Sequence, residues 1–293
     1  MIAPARSRVP RVAAIHDLSC FGRCALTVIL PTLSVMGLQC VPLPTALLST
    51  HTGGFTEPHF VDLTDDMNPI ADHFSRLPLC FDAVYSGFLG SERQIDIVSA
   101  FIRRHRETTG GNAPVLVDPV MGDDGRLYAT YTEPMQRGMR RLCELADIIT
   151  PNLTEACFLT GTPWRDTADM DEAGAGCFAA SLARKMTVFG AQKIVLTGVP
   201  CGGRIGTYIL DTSRDADTSD FYTVARQRCS YPGTGDIFAS VLLGSQMRGD
   251  DLITAARTAA DFVHDVIGYS LACGEPTRDG VLLEPMLREL IKP

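Results

Sequence analysis

The sequence lacks the features that mark membrane-spanning, secreted and nucleic-acid-binding proteins. It contains no run of about 18 apolar residues, the length that a transmembrane helix needs. The arginines near its amino terminus are not followed by the apolar segment of a signal peptide. Its net charge is -8, from 26 Lys and Arg against 34 Asp and Glu, so a polyanion would be repelled over most of the surface. We therefore expect neither a membrane nor a nucleic acid as a partner.

Cysteine is abundant, but the close pairs that form zinc sites are missing. The ten cysteines are spread along the chain without a CxxC pair, and the spacing of the nearest two, Cys20 and Cys24, suits one face of a helix. Many free thiols are typical of a reducing compartment. We therefore expect a cytoplasmic protein.

Repeats, linkers and low-complexity tracts are also missing, which favours a single domain over residues 1–293. Short apolar runs alternate with helical patterns, and this alternation predicts parallel strands joined by crossover helices. The expected fold class is α/β, with a doubly wound, mostly parallel central sheet and helices on both faces. The predicted strands are residues 11–16, 81–85, 114–118, 146–150 and 193–197, and the predicted helices are residues 22–36, 65–76, 91–106, 133–144, 171–188, 236–247, 251–271 and 283–291.

Two segments depart from this alternation. Residues 39–44 are strand-like but contain Pro42 and Pro44, which predicts a sheet edge or a projecting piece. Residues 204–210 and 221–225 flank a polar turn, and they predict an antiparallel hairpin at the sheet edge.

Ligands of open α/β sheets gather beyond the carboxyl ends of the strands, and this rule selects a group of rim residues. Asp118 and Glu155 are carboxylates on neighbouring rim loops, and such oxygen ligands suit Mg²⁺ together with water and substrate phosphates. Taken singly, each could equally be a helix cap or a turn residue. The rim residues are Asp17, Ser19, Ser86, Gly87, Phe88, Asp118, Pro119, Gly122, Thr150, Asn152, Glu155, Thr197 and Gly198.

The most informative stretch is GTGD at residues 233–236, which an apolar run follows. Its glycines allow a tight loop, and the run predicts a helix that starts near Asp236. The amino end of a helix presents unpaired N–H groups and a partial positive charge, which suit a phosphate. Asp236 itself has two interpretations: it is a helix N-cap, or it accepts the proton of an attacking hydroxyl.

Six motifs, in their order and spacing, resemble those of a pyridoxal kinase of the ribokinase-like superfamily over nearly the whole chain. They are SCFGRCALT at 19–27, STHTGG at 49–54, YSGFLG at 85–90, VDPVMGDDGRLY at 117–128, TPNLTEA at 150–156 and GTGD at 233–236. The resemblance implies ATP-dependent phosphorylation of the 5'-hydroxymethyl group of pyridoxal, pyridoxamine or pyridoxine. It also implies Mg²⁺, a homodimer and a small lid that includes residues 40–60. A requirement for a monovalent cation such as K⁺ stays open.

The resemblance also implies roles for individual residues. Asp236 would be the catalytic base. The anion hole for the transferred phosphoryl group would be formed by the amides of Gly233, Thr234, Gly235 and Asp236. Asp118 and Glu155 would hold Mg²⁺ beside ATP, partly through water. The other residues near the ATP phosphates would be Thr150, Asn152 and Thr197. The vitamin pocket would include Ser19, His51, Thr52 and Phe88, with Asp123 and Tyr128 on a loop at its phosphate side.

Two of these roles have alternatives. Phe88 stands where many pyridoxal kinases have tyrosine, which leaves the preferred vitamer open, and Phe88 could instead be a plain core residue. His51 could instead be a loop histidine that is hydrogen-bonded to backbone.

Three competing functions share all or part of these features. A hydroxymethylpyrimidine kinase of thiamine synthesis has the same fold and chemistry, but these enzymes usually carry cysteine where Asp236 stands. A sugar kinase is disfavoured because the early segments lack a Gly-Gly-rich pocket that bears Asn and Asp. A non-catalytic vitamer or nucleotide sensor could keep the fold, and turnover of ATP with pyridoxal separates it from an enzyme.

Overall fold

A nine-stranded sheet runs through the computed structural model, which describes residues 8–129 and 131–292. The ends of the predicted single domain, residues 1–7 and 293, lie outside the described residues. The strands are β1 (Arg11–Phe21), β2 (Gln39–Thr50), β3 (Phe60–Asp62), β4 (Ala83–Ser86), β5 (Val115–Val117), β6 (Gly122–Asp123), β7 (Arg126–Leu127), β8 (Ile148–Ile149), β9 (Lys193–Cys201), β10 (Arg204–Asp211) and β11 (Thr218–Ala225). The sheet has the order β11-β10-β9-β8-β5-β4-β1-β2-β3, and β6 and β7 form a separate ribbon.

The pairing within this sheet is mostly parallel. β2, β1, β4, β5, β8 and β9 are successive parallel neighbours. β3 adds an antiparallel strand at one edge, and the antiparallel pair β10 and β11 forms the other. The parallel sheet and the edge hairpin predicted from the sequence are therefore confirmed.

Helices cover both faces of the sheet. Because successive side chains of a strand point to opposite faces, Ala13 and Ile15 of β1 pack in one hydrophobic cluster, and Val12 and Ala14 pack in the other. The helices are α1 (Leu26–Val35), α2 (Thr64–Arg76), α3 (Glu92–Thr109), α4 (Glu133–Cys143), α5 (Leu153–Thr160), α6 (Glu172–Met186), α7 (Thr234–Met247) and α8 (Leu252–Ala272), with 3-10 turns at Thr187–Phe189, Thr277–Asp279 and Leu287–Leu290. α2 to α6 contribute to the first cluster, whereas α1, α7 and α8 contribute to the second. None of the described helices has the length and apolar character needed to cross a membrane.

Several elements differ from the sequence prediction. β1 continues to Phe21 because it keeps pairing with β2, and α1 therefore begins at Leu26 rather than at residue 22. The helix predicted over residues 283–291 is wrong, since this segment forms only the 3-10 turn Leu287–Leu290. The helix α5 was not predicted.

The strand with two prolines stays within the sheet. β2 lies parallel to β1, and Gln39 N–H donates to Pro10 O on the β1 side. The backbone N–H and C=O positions of the even-numbered residues that follow Gln39 therefore point away from β1. On that side, β3 pairs with β2 only from Ala46 onward. Pro42 and Pro44 lie on that open stretch, so they remove no ladder hydrogen bond. The edge interpretation is correct, and the projecting one is wrong. Of the segment expected as a lid, only the loop at residues 51–59 lies outside the strands.

Candidate active site

The loop before α7 is built around a glycine that has no room for a side chain. Gly233 has a φ of 79°, in the left-handed region that favours glycine. A Cβ atom added there would overlap the carbonyl oxygen of Arg23 and lie 2.8 Å from Cys24 Cα. The turn after β1 is therefore packed against the start of α7. Ile237 N–H bonds back to Gly233 O, so the amides of residues 234–236 precede the first intrahelical bond and have no intrahelical acceptor.

Asp236 does not cap α7. The N-cap residue is Gly233, since the helix begins two residues before Asp236, and no side chain caps it. The Oδ2 atom of Asp236 instead accepts a hydrogen bond from the backbone N–H of Ala25 at 2.8 Å. The N-cap interpretation is therefore wrong, and the carboxylate is turned toward the turn after β1.

The residue that holds Asp236 has a strained backbone. Ala25 has a φ of 48° and a ψ of -134°, a conformation that is almost restricted to glycine and costs roughly 1–3 kcal/mol. The turn around it is fixed from outside, because Arg23 N–H donates to Asp279 O at 3.1 Å and the Arg23 guanidinium pairs with Glu275. The surrounding structure thus keeps the Ala25 N–H directed at Asp236.

The environment of Asp236 brings the pKa of its carboxyl group close to neutral pH. Burial raises the pKa of Asp236 to about 7, the hydrogen bond from Ala25 opposes this rise, and the negative charge of Asp17 adds to it. A carboxyl group with a pKa near the working pH is well matched to general base catalysis. A proton acceptor therefore stands beside amides that suit an anion.

Asp118 and Glu155 are a second pair of buried, interacting carboxylates at the rim. Burial raises the pKa of Asp118 to about 8, and the charge of Asp236 contributes to the rise. Burial and the charge of Asp118 raise the pKa of Glu155 well above its ordinary value. A bound cation would offset the cost of these charges. Among the residues that the structure describes, no group of three or more His, Cys, Asp and Glu could hold a metal by itself.

Glu155 also has a structural role, because it forms a capping box at the start of α5. Its Oε2 accepts the N–H of Asn152 at 2.8 Å, and its Oε1 accepts the N–H of Met121 at 3.1 Å. Asn152 Oδ1 in turn accepts the N–H of Glu155 at 2.9 Å, and Asn152 Nδ2 donates to Gly122 O at 2.8 Å. The cap interpretation of Glu155 is therefore correct, and any contact with a metal has to coexist with it.

The predicted ATP-binding residues lie together: Thr150 and Asn152 follow β8, and Thr197 lies within β9. Asn152 and Thr197 form an isolated parallel bridge, and Thr197 N–H donates to Pro151 O at 2.9 Å. Thr150 is buried, and its hydroxyl counteracts the rise in the pKa of Asp118, so it lies close to that carboxyl group. The fold therefore groups these residues next to Asp118 and Glu155.

The ribbon of β6 and β7 belongs to the same rim. Asp123 lies in this ribbon, and the Gly125 N–H at its turn donates to Thr154 Oγ1 in α5 at 2.9 Å. Burial raises the pKa of the Tyr128 hydroxyl, and the carboxylates of Glu155 and Asp123 raise it further. Tyr128 therefore lies close enough to these carboxylates for their charge to act on its hydroxyl.

Two of the predicted vitamin-pocket residues differ in exposure. Ser19 is buried, and its hydroxyl donates to Asp17 Oδ2 at 3.0 Å. Thr52 is exposed in the loop after β2. Ser19 is therefore bonded to the carboxylate whose charge raises the pKa of Asp236.

His51 has backbone partners at both ring nitrogens. Nδ1 accepts the N–H of Gly53 at 3.0 Å, and Nε2 lies 2.7 Å from Arg278 O, so Nε2 carries the proton. The alternative of a loop histidine bonded to backbone is therefore correct as a description of its contacts. A ligand could meet only the C–H edge or the face of this ring. Phe88 is partly exposed and belongs to neither hydrophobic cluster of the described residues, which disagrees with a plain core residue.

Sequence reasoning gave no role to several residues that surround Asp236. Asp17 directly follows the predicted strand 11–16, so the rim rule selected it without showing what it does. Ala25 carries no sequence signal, because its conformation depends on packing against Asp236 and the carboxyl-terminal segment. His16 reads as an ordinary residue of a buried strand, although its Nδ1 lies 3.8 Å from Asp236 Oδ1.

The fold and this site define a class of protein. A carboxyl group with a near-neutral pKa follows a glycine loop at a helix amino terminus, and the loop stands at the carboxyl ends of a mostly parallel sheet with helices on both faces. This is the architecture of the ribokinase-like kinases. The chain matches the model of the phosphomethylpyrimidine kinase family over residues 14–279, and it belongs to that family.

Individual relatives point to the pyridoxal kinases within this class. A solved protein from Bacteroides thetaiotaomicron, classed with the phosphomethylpyrimidine kinases and crystallised with pyridoxal, is 39% identical, with a TM-score of 0.89 over 98% of this chain and 97% of that chain. The pyridoxal kinase from Lactobacillus plantarum is 30% identical, with a TM-score of 0.85 over 97% of each chain. A pyridoxal kinase from Pseudomonas syringae pv. syringae is 27% identical over 280 residues, or 91% of each chain. The resemblance to the ribokinase-like pyridoxal kinases is therefore confirmed.

Proposed function

We propose that this chain is an ATP-dependent kinase that phosphorylates the 5'-hydroxymethyl group of a vitamin B6 vitamer. The observation that carries the proposal is Asp236, whose carboxyl group has a pKa of about 7, accepts the Ala25 N–H and stands at the amino end of α7. The relatives named as pyridoxal kinases, and the similar structure that contains pyridoxal, support the substrate class.

The chemistry follows from the positions of these groups. Asp236 accepts the proton of the substrate hydroxyl while the hydroxyl oxygen forms its bond to the γ-phosphorus of ATP. The bond to the bridging oxygen breaks, and ADP leaves with the electron pair. The amides of Gly233, Thr234, Gly235 and Asp236 stabilise the charge on the transferred phosphoryl oxygens.

The vitamer would lie at the rim, beside the turn after β1 and on the side of the ribbon of β6 and β7. Ser19 donates its proton to Asp17, so it offers its oxygen lone pairs to the ring substituents. His51 would contribute a ring edge, because both of its nitrogens already have partners. The remaining pocket residues of the proposal are Thr52, Phe88, Asp123 and Tyr128.

Mg²⁺ fits the donors of the rim. Asp118 offers a buried carboxylate, whereas Glu155 would act mainly through water, because each of its oxygens already accepts a backbone N–H. Thr150, Asn152 and Thr197 would border the triphosphate. The ion would neutralise charge on the phosphates, and water and phosphate oxygens would complete its shell. A K⁺ requirement stays a prediction, and replacing K⁺ by Na⁺ at constant ionic strength tests it.

We also propose a cytoplasmic homodimer, with residues 51–59 as the mobile part of the lid. Leu47 and Val61 lie opposite each other on β2 and β3 and are exposed, as is the neighbouring Phe60. An apolar sheet edge of this kind favours association. Sedimentation velocity should give a dimer, and Phe60→Glu should shift it toward monomer.

One comparison of substrates tests the function. Pyridoxal, pyridoxamine, pyridoxine and hydroxymethylpyrimidine are assayed side by side with ATP, and we expect the highest kcat/KM for a B6 vitamer. The family name makes hydroxymethylpyrimidine kinase the second candidate, and a higher kcat/KM for the pyrimidine would select it. No turnover of any of the four, together with measurable binding of pyridoxal, would instead indicate a sensor.

A further inference from the structure

His16 occupies an unusual position for a polar side chain. It lies in β1 with no exposed surface, and neither of its ring nitrogens has a hydrogen-bond partner among the described residues. A neutral imidazole carries one N–H donor and one acceptor, and a buried polar group without a partner costs roughly 1–3 kcal/mol. Burial lowers the pKa of His16 to about 3, so the ring is neutral at physiological pH. A buried histidine of this kind needs an explanation other than packing.

The surrounding residues hold the His16 ring in one place. A Cβ atom added at Gly87 would overlap the Cε1 and Nδ1 atoms of the ring and lie 2.9 Å from Nε2. On another side the ring packs edge-on against Tyr85, with 4.3 Å between the ring centroids. Since the backbone of Gly87 does not need a glycine for its φ, its missing side chain leaves space for this imidazole.

The ring is aimed at the proposed base. Its Nδ1 lies 3.8 Å from Asp236 Oδ1, and the other carboxylate oxygen of Asp236 accepts the N–H of Ala25. The 3.8 Å separation is longer than a hydrogen bond, and hydrogen bonds of catalytic groups are often long before substrate binds. A carboxylate has about four lone-pair positions, so two donors still leave room for the substrate hydroxyl.

We propose that His16 is a positioning residue for Asp236: its Nδ1–H donates to Oδ1, while Ala25 N–H donates to Oδ2, so that the carboxylate keeps the orientation needed to accept the substrate proton. This inference rests on the proposed role of Asp236 as the base. It assigns to His16 no proton transfer and no contact with substrate.

The tautomer of His16 tests the inference without any turnover. Most neutral histidines can carry the proton on either nitrogen, whereas the proposal requires it on Nδ1. ¹⁵N spectra of the labelled protein report which nitrogen is protonated, and the signals that disappear in His16→Asn identify the residue. His51 is an internal reference, since its contacts place the proton on Nε2. Protonated Nδ1 in His16 is the expected result, and protonated Nε2 overturns the proposal.

Two substitutions test the effect on catalysis. The amide nitrogen of His16→Asn can replace Nδ1–H as a donor, whereas His16→Leu fills the space without one. We expect His16→Leu to lower kcat by about 10- to 100-fold with little change in the KM for ATP, and His16→Asn to retain most of the parental kcat. Equal kcat values for the two variants, whether both normal or both low, would contradict the role.

The same series separates this inference from the proposed function. Asp236→Asn is measured beside the His16 variants. Full turnover in Asp236→Asn would show that Asp236 is not the base, and His16 would then have no catalytic group to position. Lost turnover in Asp236→Asn together with normal turnover in His16→Leu leaves the base in place and refutes only the role of His16.

Discussion

The close approach between Gly233 and the turn after β1 predicts a specific effect of one added methyl group. In Gly233→Ala the new Cβ would overlap Arg23 O and lie 2.8 Å from Cys24 Cα, and the φ of 79° would be strained. The left-handed conformation costs a non-glycine residue roughly 1–2 kcal/mol, and overpacking of this kind adds roughly 1–3 kcal/mol. We therefore expect the free energy of unfolding to fall by about 2–5 kcal/mol.

A neighbouring glycine provides the matched control. A Cβ atom added at Gly235 meets no described atom within 4 Å, and its φ is not in the left-handed region. Gly235→Ala should therefore leave the free energy of unfolding within about 1 kcal/mol of the parent, on the stabilising side. Urea unfolding of both variants is the assay, and only stability is compared. Equal losses of stability would show that the Gly233 contact with Arg23 does not hold the loop as described.

Four further predictions follow from Asp236, from the rim carboxylates and from Ala25. The kcat/KM should fall as the pH drops below about 7, because the base of the free enzyme must be ionised, and a pH–rate profile measures this. The raised pKa means that the native state holds the Asp236 proton more tightly than the unfolded chain does, so this group reduces stability as the pH rises from about 4 to 7. Thermal unfolding should therefore show that Asp236→Asn is more stable than the parent above pH 7 but not near pH 4. Asp118→Asn and Glu155→Gln should both raise the Mg²⁺ concentration for half-maximal rate, because each removes a charged oxygen near the triphosphate; unchanged metal dependence in both variants would leave them as structural residues. Ala25→Gly should be at least as stable as the parent in urea and keep kcat within a few-fold, since it relieves the strained φ and retains the N–H; a large loss of stability would mean that Ala25 is not strained.

Much of the fold could be predicted because its strands are short apolar runs and its helices are longer periodic segments. The errors arose where tertiary contacts override the local pattern. β1 continues past His16 because β2 offers a partner as far as Thr50, and no local feature marks that pairing. The carboxyl-terminal segment forms a 3-10 turn instead of a helix, although its apolar residues Leu283 and Leu290 are buried as a helix would require.

The candidate site likewise contains residues that a local pattern selects and residues that only tertiary contacts define. Asp236, Asp118 and Glu155 could be selected because they follow strands or a glycine loop. The helix α5 was missed although Asn152 and Glu155 have the spacing of a capping box, so a local signal was present. Ala25 could not be selected, because nothing in an alanine indicates a strained φ.

The central claim is that Asp236 is the base, and one substitution tests it most directly. Asp236→Asn keeps an oxygen that can accept the Ala25 N–H, so the fold should be retained, but the amide cannot accept the substrate proton. General base catalysis contributes typically 10² to 10⁴-fold, or roughly 3–5 kcal/mol. ATP affinity, measured by nucleotide titration, should stay within a few-fold of the parent.

Single-turnover kinetics with pyridoxal and ATP isolates the chemical step in Asp236→Asn. The account predicts that the rate of this step falls by at least about 10²-fold while the enzyme remains folded and binds ATP. A variant that keeps more than roughly a tenth of the parental rate would contradict the role of Asp236, since the loss would then be smaller than general base catalysis supplies.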